Sequence, residues 1–297
     1  MSNLTYFDKW LIDSFGGSSP KEAISLKVSE LLSKSKQYEL PIKLSSIAKI
    51  IGINPYPIYR DQLSWGELIK INNEFRISLK MKSGKPPSIF WYGYPKLRFT
   101  YAHELIHCFF YDFSFSPPKR IAPYATRNEE EEICNYGASL LILPESIVRK
   151  FIDSLNSKDF IYKAEMLSSK AKVSLQASFI HLINNNYLKE RNKKLYILSS
   201  IHSGYRNRGI KKPRCIISTI FDKKGEKNIF IPTYKGIEII GNSWSLLNFF
   251  NNNLKQSELF VKNEIIKYKN TKYILNGTHK KFKGNYVWSD LSFETIK

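Results

Sequence analysis

The chain has 297 residues, of which 42% are hydrophobic and 24% are charged. That length is enough for one large domain or two ordinary ones with a buried core. No apolar run approaches the roughly 20 residues that a membrane-spanning helix needs. Asp8 and Asp13 interrupt the apolar residues of the N-terminal stretch, which argues against a secretory signal peptide. These features predict a soluble globular protein of the cytoplasm with no membrane partner.

The cysteines and the net charge indicate the cellular compartment and the kind of binding partner. Cys108, Cys134 and Cys215 form no C-x-x-C pair and no disulfide framework, which agrees with a reducing compartment. The formal net charge is +20. A charge of that size favours contact with nucleic acid or another polyanion, but a lysine-rich solvated surface explains it equally well.

The first two thirds of the chain alternate helical patterns with one β-rich region. Apolar residues at helical spacing, caps and proline breaks predict the helices. The first two cover 21–36 and 42–53, the second with Gly52 as its expected C-cap. A third begins after Pro95 and reaches about Tyr111. The others cover 129–143, which Pro144 ends, 145–155, 163–172 and 174–186. FRISLKMK (75–82) and SIFWYGY (88–94) are rich in β-formers and predict two strands joined by a turn.

From about residue 195 the sequence pattern changes to short β-rich runs separated by Gly, Asn and Lys. The runs are KLYILSS, RCIISTIF, NIFIP, KGIEII and TKYILNG. We therefore expect an α+β protein with an N-terminal helical extension (1–39), a core (40–160), a helical segment (161–195) and a β-rich or α+β C-terminal domain (196–297).

The segment RFTYAHELIHCFF (98–110) holds the pattern His-Glu-x-x-His. On a helix, His103 and His107 lie four residues apart on one face, where both imidazoles can bind one ion. Neutral imidazole suits zinc. Glu104 follows the first histidine, and its carboxylate can take a proton from a water at the open coordination position. The competing interpretation is a chance pattern on a buried helix, but two imidazoles without partners there would be costly.

A catalytic zinc site needs a third protein ligand. EEEEICNYGASLLILP (129–144) offers one, although four glutamates in a row are usually a solvated helix start favoured by the helix dipole. If Asn135 faces the core, helical spacing places Glu131 on the same face, and Glu132 about 100° away. Glu131 would then bind the ion and Asn135 would orient a histidine.

Both motifs together resemble the ImmA/IrrE-type zinc metallopeptidases, a gluzincin-like family. The first pattern of that family is approximately R-F-T-x-A-H-E-x-x-H, and the chain has RFTYAHELIH. The second is approximately E-x-x-A-N-x-F-A-x-x-L-L-M-P, and its Glu, Asn and Pro correspond to Glu131, Asn135 and Pro144. The similarity extends over about residues 40 to 190, including a helix-turn-helix-like segment at 161–195. Ile106 stands where the family has glycine, Cys134 where it has alanine and Gly137 where it has an aromatic residue.

The resemblance implies a zincin-like core that binds one zinc ion through His103, His107 and Glu131, with Glu104 as the catalytic base. It implies hydrolysis of a peptide bond in a protein partner, typically a repressor or antitoxin-like DNA-binding protein involved in stress responses. Zincins bind the peptide along the edge strand of a sheet above the active-site helix, and SIFWYGY is the candidate strand. An ordinary internal strand is the alternative.

Other residues have open roles. Cys134 could compete as a thiolate ligand, although a small buried packing residue is the favoured interpretation. His181 is a candidate for stabilising the oxyanion of the tetrahedral intermediate, with Tyr101 and Tyr136 as alternative donors. A structural role for His181 is the simpler possibility.

The segment 189–214 holds nine Lys or Arg against one Glu, with Tyr196 and Tyr205 interleaved. It predicts either nucleic-acid contact or a solvated linker between domains. It also motivates a second hypothesis, a DNA-binding regulator or toxin-like interaction protein that uses the peptidase fold as a scaffold. A closed structural zinc site is a third possibility.

Overall fold

The computed structural model describes most of the N-terminal part and the strands of the C-terminal part. The described residues are 4–72, 74–81, 95–157, 160–185, 187, 194–201, 213–221, 229–230, 237–239, 258–268, 271–282 and 286–296. The chain divides into two compact units, Met1–His181 and Leu182–Lys297, with the division inside the last helix.

Eight helices belong to the described part of the first unit, and the last of them crosses the division. They are α1 (Tyr6–Phe15), α2 (Pro20–Lys34), α3 (Leu44–Ile51), α4 (Pro95–His107), α5 (Arg127–Ile142), α6 (Glu145–Asp153), α7 (Phe160–Ala171) and α8 (Leu175–Asn184). Local signals begin and end several of them. Ser19 caps α2, and Gly52 ends α3 in the left-handed conformation that suits glycine.

The first unit also contains a three-stranded sheet of β1 (Ile58–Arg60), β2 (Gly66–Ile71) and β3 (Glu74–Lys80), in the order β1-β3-β2. β1 is parallel to β3, and β2 is antiparallel to it. β3 confirms the strand predicted at 75–82. β2 was missed by the sequence analysis, and the predicted strand SIFWYGY (88–94) lies outside the described residues.

Helix α4 holds the His-Glu-x-x-His pattern, and its close neighbours are α5 and the strands β2 and β3. A 3-10 turn (Cys108–Phe110) continues α4, and the short strands β4 (Tyr111–Asp112) and β5 (Lys119–Arg120) pair after it. The core lies between α2, α4 and α5, where residues such as Ile24, Ile106 and Ala138 are fully buried. Burial of these apolar side chains holds α4 and α5 against each other.

The described elements of the second unit beyond α8 are seven strands in one antiparallel sheet, in the order β8-β7-β6-β12-β11-β10-β9. They are β6 (Lys194–Ile201), β7 (Pro213–Phe221), β8 (Ile229–Phe230), β9 (Ile237–Ile239), β10 (Glu258–Tyr268), β11 (Thr271–Phe282) and β12 (Tyr286–Ile296). The five predicted β-rich runs coincide with β6, β7, β8, β9 and β11, and no run had been predicted at β10 and β12. The combination of helices and sheets confirms the α+β class. Among the described residues, we find no helix of sufficient length and apolarity to cross a membrane.

Candidate metal centre

The candidate site lies where α4 packs on α5. His103 and His107 stand one turn apart on α4, with ring centroids 4.8 Å from each other. Their side chains are 12% and 17% exposed. The spacing of four residues therefore brings both imidazoles to one partly covered point at the helix surface, as the sequence predicted.

Contacts from α5 decide which ring nitrogen of His107 carries the hydrogen. Nδ1 of His107 lies 3.0 Å from Oε1 of Glu130. The bond to His107 lowers the pKa of Glu130 to about 2, and the bond to Arg120 contributes to the shift. Because an ionised carboxylate only accepts, Nδ1 of His107 donates, and Nε2 of the neutral ring keeps its lone pair.

Asn135 orients the other histidine in the same way. Nδ1 of His103 lies 3.0 Å from Oδ1 of Asn135, so the ring nitrogen donates and the amide oxygen accepts. The lone pair of His103 is therefore also on Nε2. Asn135 has the orienting contact that the sequence analysis expected of it, although the residue as a whole is exposed.

Both Nε2 atoms point at the same place, and Glu131 points there too. The two Nε2 atoms are 3.1 Å apart. Oε2 of Glu131 lies 3.2 Å from Nε2 of His103, and its Oε1 lies 3.7 Å from Nε2 of His107. In neutral rings oriented this way, two lone pairs face each other beside a carboxylate. Such a cluster attracts positive charge to the point that the three groups share, and a metal cation there would bind all three.

The spacing of these three groups fits zinc. Ligands at about 2.0–2.1 Å from a tetrahedral ion are about 3.3 Å from one another, and the three separations of 3.1, 3.2 and 3.7 Å lie close to that value. Two imidazoles and one carboxylate are also a known ligand set of catalytic zinc. The residues present therefore suit this ion.

Cys134 is a second candidate for the third ligand. His103, His107 and Cys134 could together hold a metal ion, since their ligand atoms all lie within 4.8 Å of one another. Cys134 is fully buried on α5, and burial strongly raises the pKa of its thiol, with nearby carboxylates adding to the effect. Both candidates for the third ligand thus remain in reach of the histidines.

Glu104 is 7% exposed, and its carboxyl group is close enough to the cluster for the charges of His107 and Glu131 to act on it. Burial raises the pKa of its carboxyl to about 7, although the charge of His107 opposes the shift. The charges of Glu131 and Glu67 raise it further. A carboxyl group with such a pKa can take up and release a proton near neutral pH.

The pKa values of the two histidines move in opposite directions. Burial lowers the pKa of His103, with a contribution from the charge of His107. Burial also acts to lower the pKa of His107, but the bond to Glu130 and the charges of Glu104, Glu130 and Glu131 together raise it. The carboxylates around His107 therefore favour positive charge at this place.

The four glutamates that begin α5 have four different roles. Glu129 forms a capping box with Thr126, since each side chain accepts a hydrogen bond from the other residue's backbone. Glu130 bonds His107, Glu131 reaches both Nε2 atoms, and Glu132 is exposed. A run of four glutamates at the start of a helix is usually solvated, but here Glu130 and Glu131 face the site.

Glu130 and Arg120 were not predicted from the sequence as residues of the site. Arg120, on β5, donates from Nη2 to Oε2 of Glu130 at 2.7 Å and to the carbonyl of Pro123 at 3.3 Å. Glu130 could have been found from helical spacing, because it lies four residues before the buried Cys134. Arg120 gave no such signal, since it lies in an irregular stretch.

His181 lies on α8, where burial lowers its pKa to about 4 and the charge of Glu145 partly opposes the shift. Its role as an oxyanion donor stays a prediction. Of the alternative donors, Tyr101 is fully buried and its hydroxyl donates to the carbonyl of Pro55 at 2.9 Å. Tyr136 is partly exposed on α5, one residue after Asn135.

Two of the departures from the family pattern meet in the core. A Cβ atom on Gly137 would lie 3.0 Å from Cγ1 of Ile106 and 3.0 Å from Cγ2 of Ile24. The large residue on α4 is thus accommodated by the small one on α5. The pair keeps the helices at close distance without altering a candidate ligand.

The basic segment 189–214 lies mostly outside the described residues, which include only the backbone of β6 and the start of β7. The question of nucleic-acid contact by this segment therefore stays a prediction.

Comparison with known proteins adds little to this geometry. No protein-family model matches the chain, and no curated protein matches it. Among solved structures, a Mycobacterium tuberculosis transcriptional regulator is similar at 10% identity and a TM-score of 0.39, over 97% of this chain and 78% of that one. A likeness this weak carries no argument about fold or function.

Proposed function

We propose that this protein is a zinc-dependent endopeptidase of the ImmA/IrrE kind, with a zincin-like core, acting on a protein partner in the cytoplasm. The observation that carries the proposal is the convergence of three groups near Glu104. Nε2 of His103, Nε2 of His107 and the carboxylate of Glu131 are 3.1 to 3.7 Å apart. The buried carboxyl of Glu104 follows the first of them in the chain.

His103, His107 and Glu131 would hold one ion, while Asn135 and Glu130 keep the two rings turned toward it. Such orienting partners of ligand histidines fix the tautomer and raise the basicity of the ligand. Zinc bound there would supply a Lewis acid that polarises the scissile carbonyl and lowers the pKa of water. Cys134 is the alternative third ligand, which would favour a more closed site.

Glu104 acts as general base and then as general acid. Its carboxylate takes the proton from the attacking water and passes it to the leaving amine when the peptide bond breaks. Burial raises the pKa of this carboxyl, while a bound cation would favour its ionised form, which is the form that accepts the proton of water. His181 remains the candidate that would stabilise the oxyanion.

Strand β2 is the described strand best placed for the substrate. It forms one edge of the three-stranded sheet, and its first residue, Gly66, lies against Glu104. An extended peptide can pair with such an edge through its backbone, so any sequence can bind in register with the site. The identity of the substrate as a repressor or antitoxin-like protein rests on the family resemblance alone.

The test uses a proteome-derived peptide library incubated with the zinc-loaded full-length protein, with cleavage products read by mass spectrometry. We expect new peptide termini with the unmodified protein. With Glu104→Gln we expect none, while bound zinc stays at one ion per chain, because the amide cannot accept the proton of water.

Glu132→Gln is the matched control, since it makes the same change at an exposed glutamate of α5. Its products should equal those of the unmodified protein. Products that persist in Glu104→Gln would contradict the mechanism. A library that stays intact with the zinc-loaded unmodified protein would contradict peptidase activity on peptides altogether.

A second candidate function is binding of nucleic acid by the second unit. The residues 182–297 have a net charge of +14, most of the +20 of the chain. Neutralisation of phosphates by Lys and Arg makes binding fall steeply with salt. We would measure affinity for duplex DNA between 50 and 200 mM salt (roughly the range in which several contacts cost 10³-fold or more). Binding no tighter than to heparin at each salt concentration would exclude this candidate.

A further inference from the structure

The strand residue next to Glu104 has no side chain. Gly66 is the first residue of β2, and it pairs with the fully buried Leu79 on β3. Its φ angle does not lie in the left-handed region that requires glycine. The backbone conformation therefore gives no reason for glycine at this position.

The space around Gly66 gives a reason. A Cβ atom there would lie 2.8 Å from Oε1 and 3.1 Å from Cγ of Glu104, and closer still to Cγ2 of Thr100. Ordinary contacts between carbon atoms are about 3.5–4.0 Å. Thr100 and Glu104 are one turn apart on the face of α4 that β2 covers. Any side chain at position 66 would therefore displace the strand or both neighbouring side chains, the methyl group of Thr100 and the carboxyl group of Glu104.

The strand is held more firmly than the carboxyl group. The register of β2 and β3 runs over six pairs, from Gly66 with Leu79 to Ile71 with Glu74. Ile77 and Leu79 of β3 are fully buried. A retreat of β2 would break backbone hydrogen bonds of this hairpin, whereas rotation of the Glu104 side chain breaks none of them.

We propose that Gly66 is a positioning residue for Glu104, whose missing side chain allows the carboxyl group to lie against β2 in the place from which it moves protons. The proposal rests on the proposed peptidase function. A misplacement of about 1 Å can cost on the order of 100-fold in rate. Gly66→Ala should thus lower kcat by about that factor and leave KM and the bound zinc unchanged.

The experiment follows hydrolysis of the best-cleaved peptide of the library by zinc-loaded Gly66→Ala, together with zinc content, thermal stability and a crystal structure of the variant. The crystal structure reads out the place of the Glu104 carboxyl group without reference to activity. We expect it to have moved away from β2. An unchanged kcat, or a carboxyl group that has not moved, would overturn the proposal.

A double variant separates the two close contacts. Thr100→Ser removes the Cγ2 methyl group but keeps the hydroxyl that donates to the carbonyl of Lys96. In Gly66→Ala with Thr100→Ser, the contacts left among the three nearest are both with Glu104, so kcat should stay low while stability is regained. Recovery of kcat would show that Gly66 serves helix packing alone. If Gly66→Ala by itself folds poorly, kcat and the position of the Glu104 carboxyl group are measured in this double variant instead.

Gly137→Ala is the control, because the three atoms nearest to its new methyl group belong to isoleucine side chains of the core, at 3.0 to 3.1 Å, and none belongs to Glu104. It should lower stability and leave the kcat of the folded protein unchanged. A fall in kcat equal to that of Gly66→Ala would overturn the proposal. Failure of the peptidase function itself would be seen separately, as an intact library with the unmodified protein.

Discussion

The two units of this protein differ in charge and in the use of their acidic residues. Residues 1–181 contain 24 Lys and Arg against 18 Asp and Glu, a net +6, while residues 182–297 contain 22 against 8, a net +14. In the first unit, Glu104, Glu130 and Glu131 lie near His107, and Glu131 also lies near His103. The net charge of +20 is therefore not a property of the candidate site, whose own surroundings are acidic.

The difference separates two functions that the sequence alone could have joined. An acidic cluster around imidazoles attracts a metal cation, whereas an excess of lysine and arginine attracts polyanions. Metal-dependent effects should thus be confined to the first unit and salt-dependent polyanion effects to the second. Three predictions can break or sharpen this contrast.

The largest expected effect is on zinc affinity. Glu131→Ala should weaken zinc binding by more than the roughly 10–100-fold that follows loss of a residue that only orients a ligand. The reason is that its carboxylate lies at both Nε2 atoms. Zinc titration against a chelator measures the affinity. Hydrogen exchange with and without zinc measures the protection that zinc adds to the backbone of α4 and α5, and this added protection should be lost in Glu131→Ala.

Cys134→Ala is the comparison variant for this prediction, because the thiol is the other third ligand within reach. It should keep the zinc affinity of the unmodified protein. The opposite result, loss of zinc in Cys134→Ala and retention in Glu131→Ala, would assign the third ligand to the thiol. If zinc also slowed hydrogen exchange in β10 to β12, metal-dependent effects would not be confined to the first unit.

A smaller effect is expected from the residues that orient His107. Glu130→Gln should weaken zinc binding by roughly 10–100-fold, because the amide holds Nδ1 of His107 less firmly and leaves Arg120 without its ionic partner. The same titration measures it. Glu129→Gln is the control on the same helix, since Glu129 contacts Thr126 and not the histidines. Equal losses in both variants would point to helix stability instead.

The smallest effect concerns acid stability in the second unit. His279 is fully buried, and burial lowers its pKa from 6.5 to about 4. Because the folded pKa lies below the unfolded one, the stabilisation is complete above pH 6.5 and is lost as the pH falls toward 4. The loss at pH 5 is about 2 kcal/mol. Hydrogen exchange of the β11 backbone at pH 7 and pH 5 measures it.

His279→Leu should reduce that dependence in β11, since the side chain no longer titrates. His181→Leu is the matched change in the first unit, where burial also lowers the histidine pKa to about 4, and it should leave β11 unaffected. An unaltered pH dependence of β11 in His279→Leu would assign the acid sensitivity to other groups.

Much of the candidate site was readable because it depends on helix geometry. The spacing of His103 and His107, and that of Glu131 and Asn135, follows from 3.6 residues per turn. Caps and breaks at Gly52 and Pro144 are also local, and the structure confirms the helix ends they predicted. Strand β2 was missed because six residues of weak alternation carry little signal before a neighbour is known.

The sequence by itself determined the helices that carry the pattern, the face on which each histidine lies and the set of glutamates that could complete it. The tertiary structure alone decided which glutamate meets which ring, that Arg120 holds Glu130, and that Gly66 lies against Glu104. These last contacts join residues 10 and 38 positions apart in the chain. Local periodicity carries no information about such pairs, because they form only when separate elements pack together.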